Sequence, residues 1–202
     1  GGKRMRVSWA EFSDSLRDCQ KCRLCEQRNH IVQGEGNPNA ELMFIGEGPG
    51  QEEDRLGRPF VGRSGELLTR MIHAIGIERA DTYICNIVKC RPPQNRTPEA
   101  DEAAACIGFL RMQFALVRPK VIVLLGKTAC RYTIGENIFI TRDHGRWYER
   151  KGVWFLPTFH PSALLRDPEK KRDAWDDFQK IRAKLNEINE SGGNAGDGET
   201  AR

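Results

Sequence analysis

Residues 41–63 read ELMFIGEGPGQEEDRLGRPFVGR. Leu42, Met43, Phe44 and Ile45 form a short continuous apolar run, which predicts a buried strand. The run breaks at Gly46, and Glu47 follows inside Gly46-Glu47-Gly48-Pro49-Gly50. Three glycines and a proline in five residues cannot hold a helix or a strand, so this segment is a turn. It presents the Glu47 carboxylate at the carboxyl end of a strand, the end that faces the ligand crevice in open α/β sheets.

Outward from this turn the pattern repeats. Leu67, Leu68, Met71, Ile72 and Ile75 mark one face of a helix that ends at Gly76. Strands are predicted at Thr82 to Val88, Val121 to Leu125 and Val153 to Phe159, with helices from Thr97, over Lys127 to Tyr132, and from Pro168 to about Ile188. Pro98 suits the first turn of the helix begun at Thr97. The last helix should bury Trp175, Phe178, Ile181 and Leu185. A short amphipathic helix with Trp9, Phe12 and Leu16 at helical spacing leads into Cys19, and Ser8 and Glu11 fit a capping box. Residues 138–151 read as a hairpin or an irregular excursion. Strand and helix thus alternate four times, which predicts an α/β fold with a central four-stranded, mostly parallel sheet flanked by helices on both faces.

The chain has 202 residues, 39% of them apolar and 30% charged, enough for one domain with its own core. One domain is expected over 1–190. The tail from Ser191, SGGNAGDGETAR, has little to bury and is expected to be disordered. No run approaches the roughly eighteen apolar residues of a membrane span, and no apolar signal core opens the chain. A cytoplasmic location without a membrane partner is therefore expected, and Gly1-Gly2 resembles a tag remnant. A net charge of +4 permits a polyanionic partner. Basic residues recur in loops expected to be exposed: Arg55, Arg58 and Arg63; Lys89, Arg91 and Arg96; Arg166, Lys170, Lys171 and Arg172. Phosphate contacts want this arrangement.

Seven cysteines in a chain without an export signal point to metal rather than disulfides. Cys19 and Cys22 form a CxxC knuckle, with Cys25 as an alternative member, while Cys90 and Cys106 flank a proline-rich loop and a helix start. Four thiolates from two distant segments suit an iron-sulfur cluster or a structural zinc, and the presence of one knuckle rather than two tilts toward iron and sulfur. Cys85, in a strand, and Cys130, in a helix, read as buried small apolar residues. In a parallel sheet Glu47, Asn86, Gly126 and His160 all reach the carboxyl ends of their strands. A carboxylate, an amide and an imidazole meeting there can break a bond to a heterocycle.

Ordered motifs across the chain carry a resemblance. They are Gly46-Glu47-Gly48-Pro49-Gly50 with Glu53-Asp54, Gly57-Arg58-Pro59-Phe60-Val61-Gly62, Asn86-Ile87-Val88-Lys89-Cys90-Arg91-Pro92-Pro93, Asn95-Arg96-Thr97-Pro98 and His160-Pro161-Ser162-Ala163-Leu164-Leu165-Arg166. From about Cys19 to Leu185 the chain resembles the family 4 uracil-DNA glycosylases of the iron-sulfur type.

The resemblance implies a 4Fe-4S cluster on Cys19, Cys22, Cys90 and Cys106, with Cys25 outside it. It implies that Phe60 stacks on an extruded uracil, that Asn86 reads its edge, and that Glu53 fills the space a thymine methyl would need. Gly48 stands where relatives outside this family place a water-activating aspartate, so that task moves to Glu47 or rests partly on Asp54. His160 would hydrogen-bond uracil O2. Ser162, Leu164, Leu165 and Arg166 would form the loop that enters DNA, with one of the last three filling the gap left by the flipped base. The implied activity is monofunctional removal of uracil from single- and double-stranded DNA by a monomer, leaving an abasic site. No histidine-bearing insertion precedes Asn95, so turnover is expected rather than covalent trapping. The alternative is a DNA-binding, redox-sensing module that keeps the fold and releases no base.

Overall fold

The computed structural model describes residues 6–193. Its frame is a six-stranded sheet in the order β1-β3-β2-β4-β6-β5. The inner strands β2 (Leu42–Gly46), β3 (Tyr83–Asn86), β4 (Val121–Leu125) and β6 (Val153–Thr158) run parallel. Two short antiparallel edges, β1 (Glu35–Gly36) on β3 and β5 (Tyr148–Arg150) on β6, extend the expected four strands to six. The fold class stands, with a wider sheet than predicted.

The alternation of side chains on each inner strand builds the two cores. Met43, Ile45, Tyr83, Cys85, Ile122 and Leu124 face one layer, where they meet Ala103, Leu110 and Val117 of helix α4 (Ala100–Val117) and Ala129 of α5 (Lys127–Arg131). Leu42, Phe44, Ile84, Val121, Val123 and Leu125 face the other, against Leu68 and Ile72 of α3 (Arg63–Ala74) and Phe178, Ile181 and Leu185 of α8 (Lys171–Gly193). Burial on both faces explains why these strands read as unbroken apolar runs. Each buried aliphatic or aromatic side chain contributes about 1.5–3 kcal/mol, so the two faces together supply the main driving force for folding.

The remaining helices are α1 (Trp9–Leu16), capped by Ser8 Oγ accepting from the Glu11 N–H; α2 (Gln51–Leu56); α6 (Ile140–Asp143); and α7 (Pro161–Arg166). Helix α4 begins at Ala100 rather than Thr97, because Glu99 is its N-cap and the Glu102 carboxylate accepts the Glu99 N–H at 2.8 Å. The ambiguous stretch 138–151 resolves into α6 and β5. Residues 191–193 continue α8, and the rest of the expected tail lies outside the described residues. Among the described residues no helix is long and apolar enough to cross a membrane.

Candidate active site

Strands β2, β3, β4 and β6 all end on the same edge, and a cleft of about 720 Å³ opens there. Its walls include Glu47, Gly48, Glu53, Phe60, Asn86, Gly126, His160, Ser162, Leu165 and Arg166, drawn from segments far apart in the chain. Gly46 pairs with Asn86 across the β2–β3 ladder, which fixes the amide at the cleft floor. A Cβ built on Gly46 would strike Asn86 Oδ1 and the Phe60 ring, so only glycine leaves room for the two to approach each other. Asn86 is 1% exposed, and its Oδ1 is a buried acceptor with no hydrogen-bond partner among the described residues. Such a group is costly unless something donates to it, which marks it as waiting for a ligand N–H.

Phe60 is held from behind. Its backbone sits at φ 49°, a left-handed conformation that costs a bulky residue about 1–3 kcal/mol and needs support. Arg79 supplies that support: its guanidinium donates to the carbonyls of Pro59 and Phe60, both at 2.7 Å, and to Thr69 Oγ1 at 2.8 Å. Burial lowers the Arg79 pKa, and the nearby Glu35 opposes that shift. A Cβ on Gly65 would overlap the Phe60 backbone, so α3 can pack against this turn only with glycine there. Glu53 completes the frame. Its carboxylate accepts the N–H groups of Gly50 (3.0 Å), Val61 (3.0 Å) and Gly62 (2.8 Å), pinning the loop that carries Phe60.

Opposite Phe60 stands His160, with ring centroids 5.5 Å apart and planes tilted by 32°. The Ser162 N–H lies 3.1 Å from His160 Nδ1 and can only donate, so Nδ1 accepts and the proton of the neutral ring is on Nε2. Ser162 Oγ also reaches Nδ1, at 2.7 Å. Desolvation, reinforced by the Arg166 charge, lowers the His160 pKa to about 4, so the ring is neutral at physiological pH. Glu47 is oriented by Thr128, whose hydroxyl donates to Oε2 at 2.6 Å.

Two expected site residues have other positions. Asp54 is buried outside the cleft walls, and its carboxylate is occupied by Asn29: Oδ1 accepts the backbone N–H at 2.8 Å and Oδ2 accepts the side-chain amide at 2.6 Å. The His30 N–H adds a longer bond. Asp54 thus braces the 29–30 loop, with both carboxylate oxygens engaged there. Leu164 is fully buried with Leu67, Phe159 and Ala174, so it anchors α7 and cannot enter DNA. Ser162 and Leu165 are half-buried and line the cleft, and Arg166 is exposed.

The basic residues also sort differently from expectation. Arg55 pairs with Glu52, Arg58 with Glu35 and Arg96 with Glu102, while Lys89 is buried. Arg63, Lys127, Arg166 and Lys170, with the Glu102-paired Arg96, line the cleft and form its cationic rim. Arg79 and Thr128 lay outside the sequence reading altogether. Nothing local marks them, because each acts through hydrogen bonds to residues distant in the chain.

The cysteines separate in the same way. Cys19, Cys22, Cys90 and Cys106 share the walls of one small cavity with Leu16, Leu24, Ile31, Val88 and Phe109, and Cys25 is not among them. Burial raises the thiols of Cys22 and Cys106 and pushes Cys90 up to about 11, the last opposed by Arg28, whose Nη1 lies 3.6 Å from Cys90 Sγ. Among the described residues no three thiols, carboxylates or imidazoles stand close enough to hold a single ion. A set of four soft sulfur donors, with apolar walls and cations alongside, fits an iron-sulfur centre. Cys85 and Cys130 are buried in the core, as their positions in a strand and a helix imply.

The sequence model described as "Uracil DNA glycosylase superfamily" matches residues 33–182. The chain is 47% identical to a type-4 uracil-DNA glycosylase of Thermotoga maritima, over 85% of this chain and 91% of that protein. It is 45% identical to the type-4 uracil-DNA glycosylase of Sulfurisphaera tokodaii (87% and 84% covered) and 42% identical to that of Saccharolobus solfataricus (86% and 85%). With its parallel sheet, its cleft at the strand ends and these similarities over most of its length, the chain belongs to the type-4 uracil-DNA glycosylases of the uracil DNA glycosylase superfamily.

Proposed function

We propose that the protein excises uracil from DNA by hydrolysing its N-glycosidic bond, as a monomer acting in the cytoplasm on single- and double-stranded substrates. The observation that carries this reading is the orphaned, buried Asn86 Oδ1 beside the Phe60 ring. Uracil presents an N3–H donor next to an O4 acceptor, and one amide answers both: Oδ1 accepts from N3–H while Nδ2 donates to O4. Cytosine reverses the pattern and would leave buried polar groups unpaired, a discrimination of about 10⁴ or more. Phe60 stacks on the base, and Glu53 closes the side where a thymine methyl would project.

As the C1′–N1 bond lengthens, negative charge develops on the departing base. The neutral His160 donates Nε2–H toward O2 and stabilises that charge without prior protonation of the base. Glu47, oriented by Thr128, holds the water that attacks C1′ and takes its proton as the new C–O bond forms. The electron pair of the broken bond leaves with uracil, and the sugar becomes an abasic site with the strand intact. Arg63, Lys127 and Lys170 meet phosphates along the cleft rim, and Leu165 with Arg166 fills the gap left by the extruded nucleotide.

We also infer a 4Fe-4S cluster on Cys19, Cys22, Cys90 and Cys106. When bound, it cross-links the N-terminal segment to the segment that carries the 91–96 loop and the start of α4. No observation favours a redox-sensing module without base release. Incubation with single- and double-stranded oligonucleotides carrying one uracil tests the proposal: free uracil and alkali-sensitive abasic sites are expected, with no strand break before alkali. Tight binding with no uracil released would refute it.

A further inference from the structure

Lys89 sits in a segment that reads as an exposed basic loop, yet it is 1% exposed. Its Nζ donates to the Asn86 carbonyl at 2.7 Å and to Gln113 Oε1 at 2.6 Å, and both acceptors are neutral. Gln113 is locked in turn, because its amide donates to the Gln33 carbonyl at 2.6 Å and to Tyr83 Oη at 2.9 Å. The same lysine also lines the cavity shared by Cys19, Cys22, Cys90 and Cys106. One residue therefore touches both the strand end that carries the base-reading amide and one wall of the thiol cavity.

The charge balance around Lys89 is unusual. A buried ammonium with only neutral partners needs negative charge nearby to offset its lost hydration. Arg28 lies against Cys90 Sγ, with Nη1 3.6 Å away. Three cationic residues, Lys21, Arg28 and Lys89, thus line a cavity of four cysteines that holds no carboxylate. A centre ligated by four thiolates is anionic, and these side chains would balance it.

We propose that Lys89 is a positioning residue joining the cluster to base recognition: its charge offsets the anionic thiolate set, and its ammonium clamps the Asn86 carbonyl so that the amide stays aimed into the cleft. This rests on the cluster inferred above, and it gives one side chain two separable roles, one at the cluster and one at the uracil site. Outer partners of metal ligands commonly change metal retention about 10–100-fold when removed.

Two substitutions separate the roles. Lys89→Met removes both charge and donor, whereas Lys89→Gln removes the charge and keeps an N–H donor for the Asn86 carbonyl. The readouts are iron released to a chelator over time, and affinity for an oligonucleotide carrying a hydrolysis-resistant 2′-fluorinated deoxyuridine. Both variants should lose iron about tenfold faster than the parent, and Lys89→Met alone should bind the fluorinated uridine about tenfold more weakly, with affinity for undamaged DNA unchanged. Parental iron retention in both variants, or parental uridine affinity in Lys89→Met, would overturn the proposal. Should Lys89→Met prove insoluble, iron retention in Lys89→Gln decides. Absence of iron from the unsubstituted protein refutes the cluster itself, so that failure is read separately from failure of the lysine's role.

Discussion

Phe60 and His160 face each other across the cleft with ring centroids 5.5 Å apart, one from the loop after α2 and the other from the end of β6. In the proposed mode of binding, a base stacked on Phe60 turns its O2 edge toward His160. Phe60→Ala removes the platform, and base stacking contributes about 1–3 kcal/mol, so kcat/KM on uracil DNA should fall about 10–100-fold. Phe60→Leu should retain the apolar surface but lose the stacking geometry and fall in between. Steady-state kinetics on one uracil oligonucleotide measures both.

Arg79 holds that platform without touching the base. Replacing it with Met leaves the Pro59 and Phe60 carbonyls without their donors and frees the strained turn. Single-turnover excision should slow about tenfold or more, and Arg79→Lys, a point charge in place of a planar fork, should restore only part of the rate. Affinity for undamaged DNA should be unchanged in both, because Arg79 does not face the phosphate rim.

His160 predicts a pH window. Its folded pKa is lowered from 6.5 to about 4, so between these values the unfolded chain binds more protons than the folded one. The His160 contribution to stability is fully present above pH 6.5 and is lost as pH falls toward 4. Denaturant melts across this range should show a decline that His160→Asn flattens. The rate of uracil release should stay level through neutral pH and fall only as the ring protonates near pH 4.

Glu47 and Asp54 are separable by experiment. Glu47→Gln keeps the hydrogen bond from Thr128 in reach but removes the base, and excision should drop about 10²–10⁴-fold while uracil-DNA affinity persists. Asp54→Asn disturbs the Asn29 and His30 backbone contacts instead. Its cost should appear as a lower melting temperature, with the residual folded enzyme still active.

Leu164 and Leu165 are adjacent but differ in kind. Leu164→Ala opens a cavity against Leu67 and Phe159 and should cost about 2–5 kcal/mol of stability. Leu165→Ala should leave stability unchanged and slow excision from duplex more than from single strands, because only the duplex must be wedged open. Equal losses on both substrates would remove Leu165 from that role.

Sequence carried the centre of this molecule and lost its edges. The apolar runs 42–45 and 121–125 announce buried parallel strands because both their faces are covered. Strands β1 and β5, two and three residues long and partly exposed, have no such run to reveal them. Thr97-Pro98 imitates a helix start, but the capping bond from Glu99 to Glu102 decides the boundary three residues later. Glu47, Asn86 and His160 were legible because strand ends in a parallel sheet share one edge, whereas Phe60, on the loop after α2, was reached only through the resemblance. Burial of Lys89 was not legible, since the partner that makes it possible, Gln113, comes from the middle of α4. Asp54 and Arg79 share that property: each serves backbone groups of a neighbouring loop, and such partners leave no trace in residue spacing.

Single-turnover release of uracil and cytosine from otherwise identical oligonucleotides, with the Asn86→Ala variant alongside, shows whether the Asn86 amide reads the uracil edge. The account predicts that the unsubstituted enzyme releases uracil at least about 10⁴-fold faster than cytosine, and that Asn86→Ala loses uracil release about 10²–10³-fold with no gain on cytosine. Cytosine released at a comparable rate, or an Asn86→Ala variant as active as the parent, would contradict it.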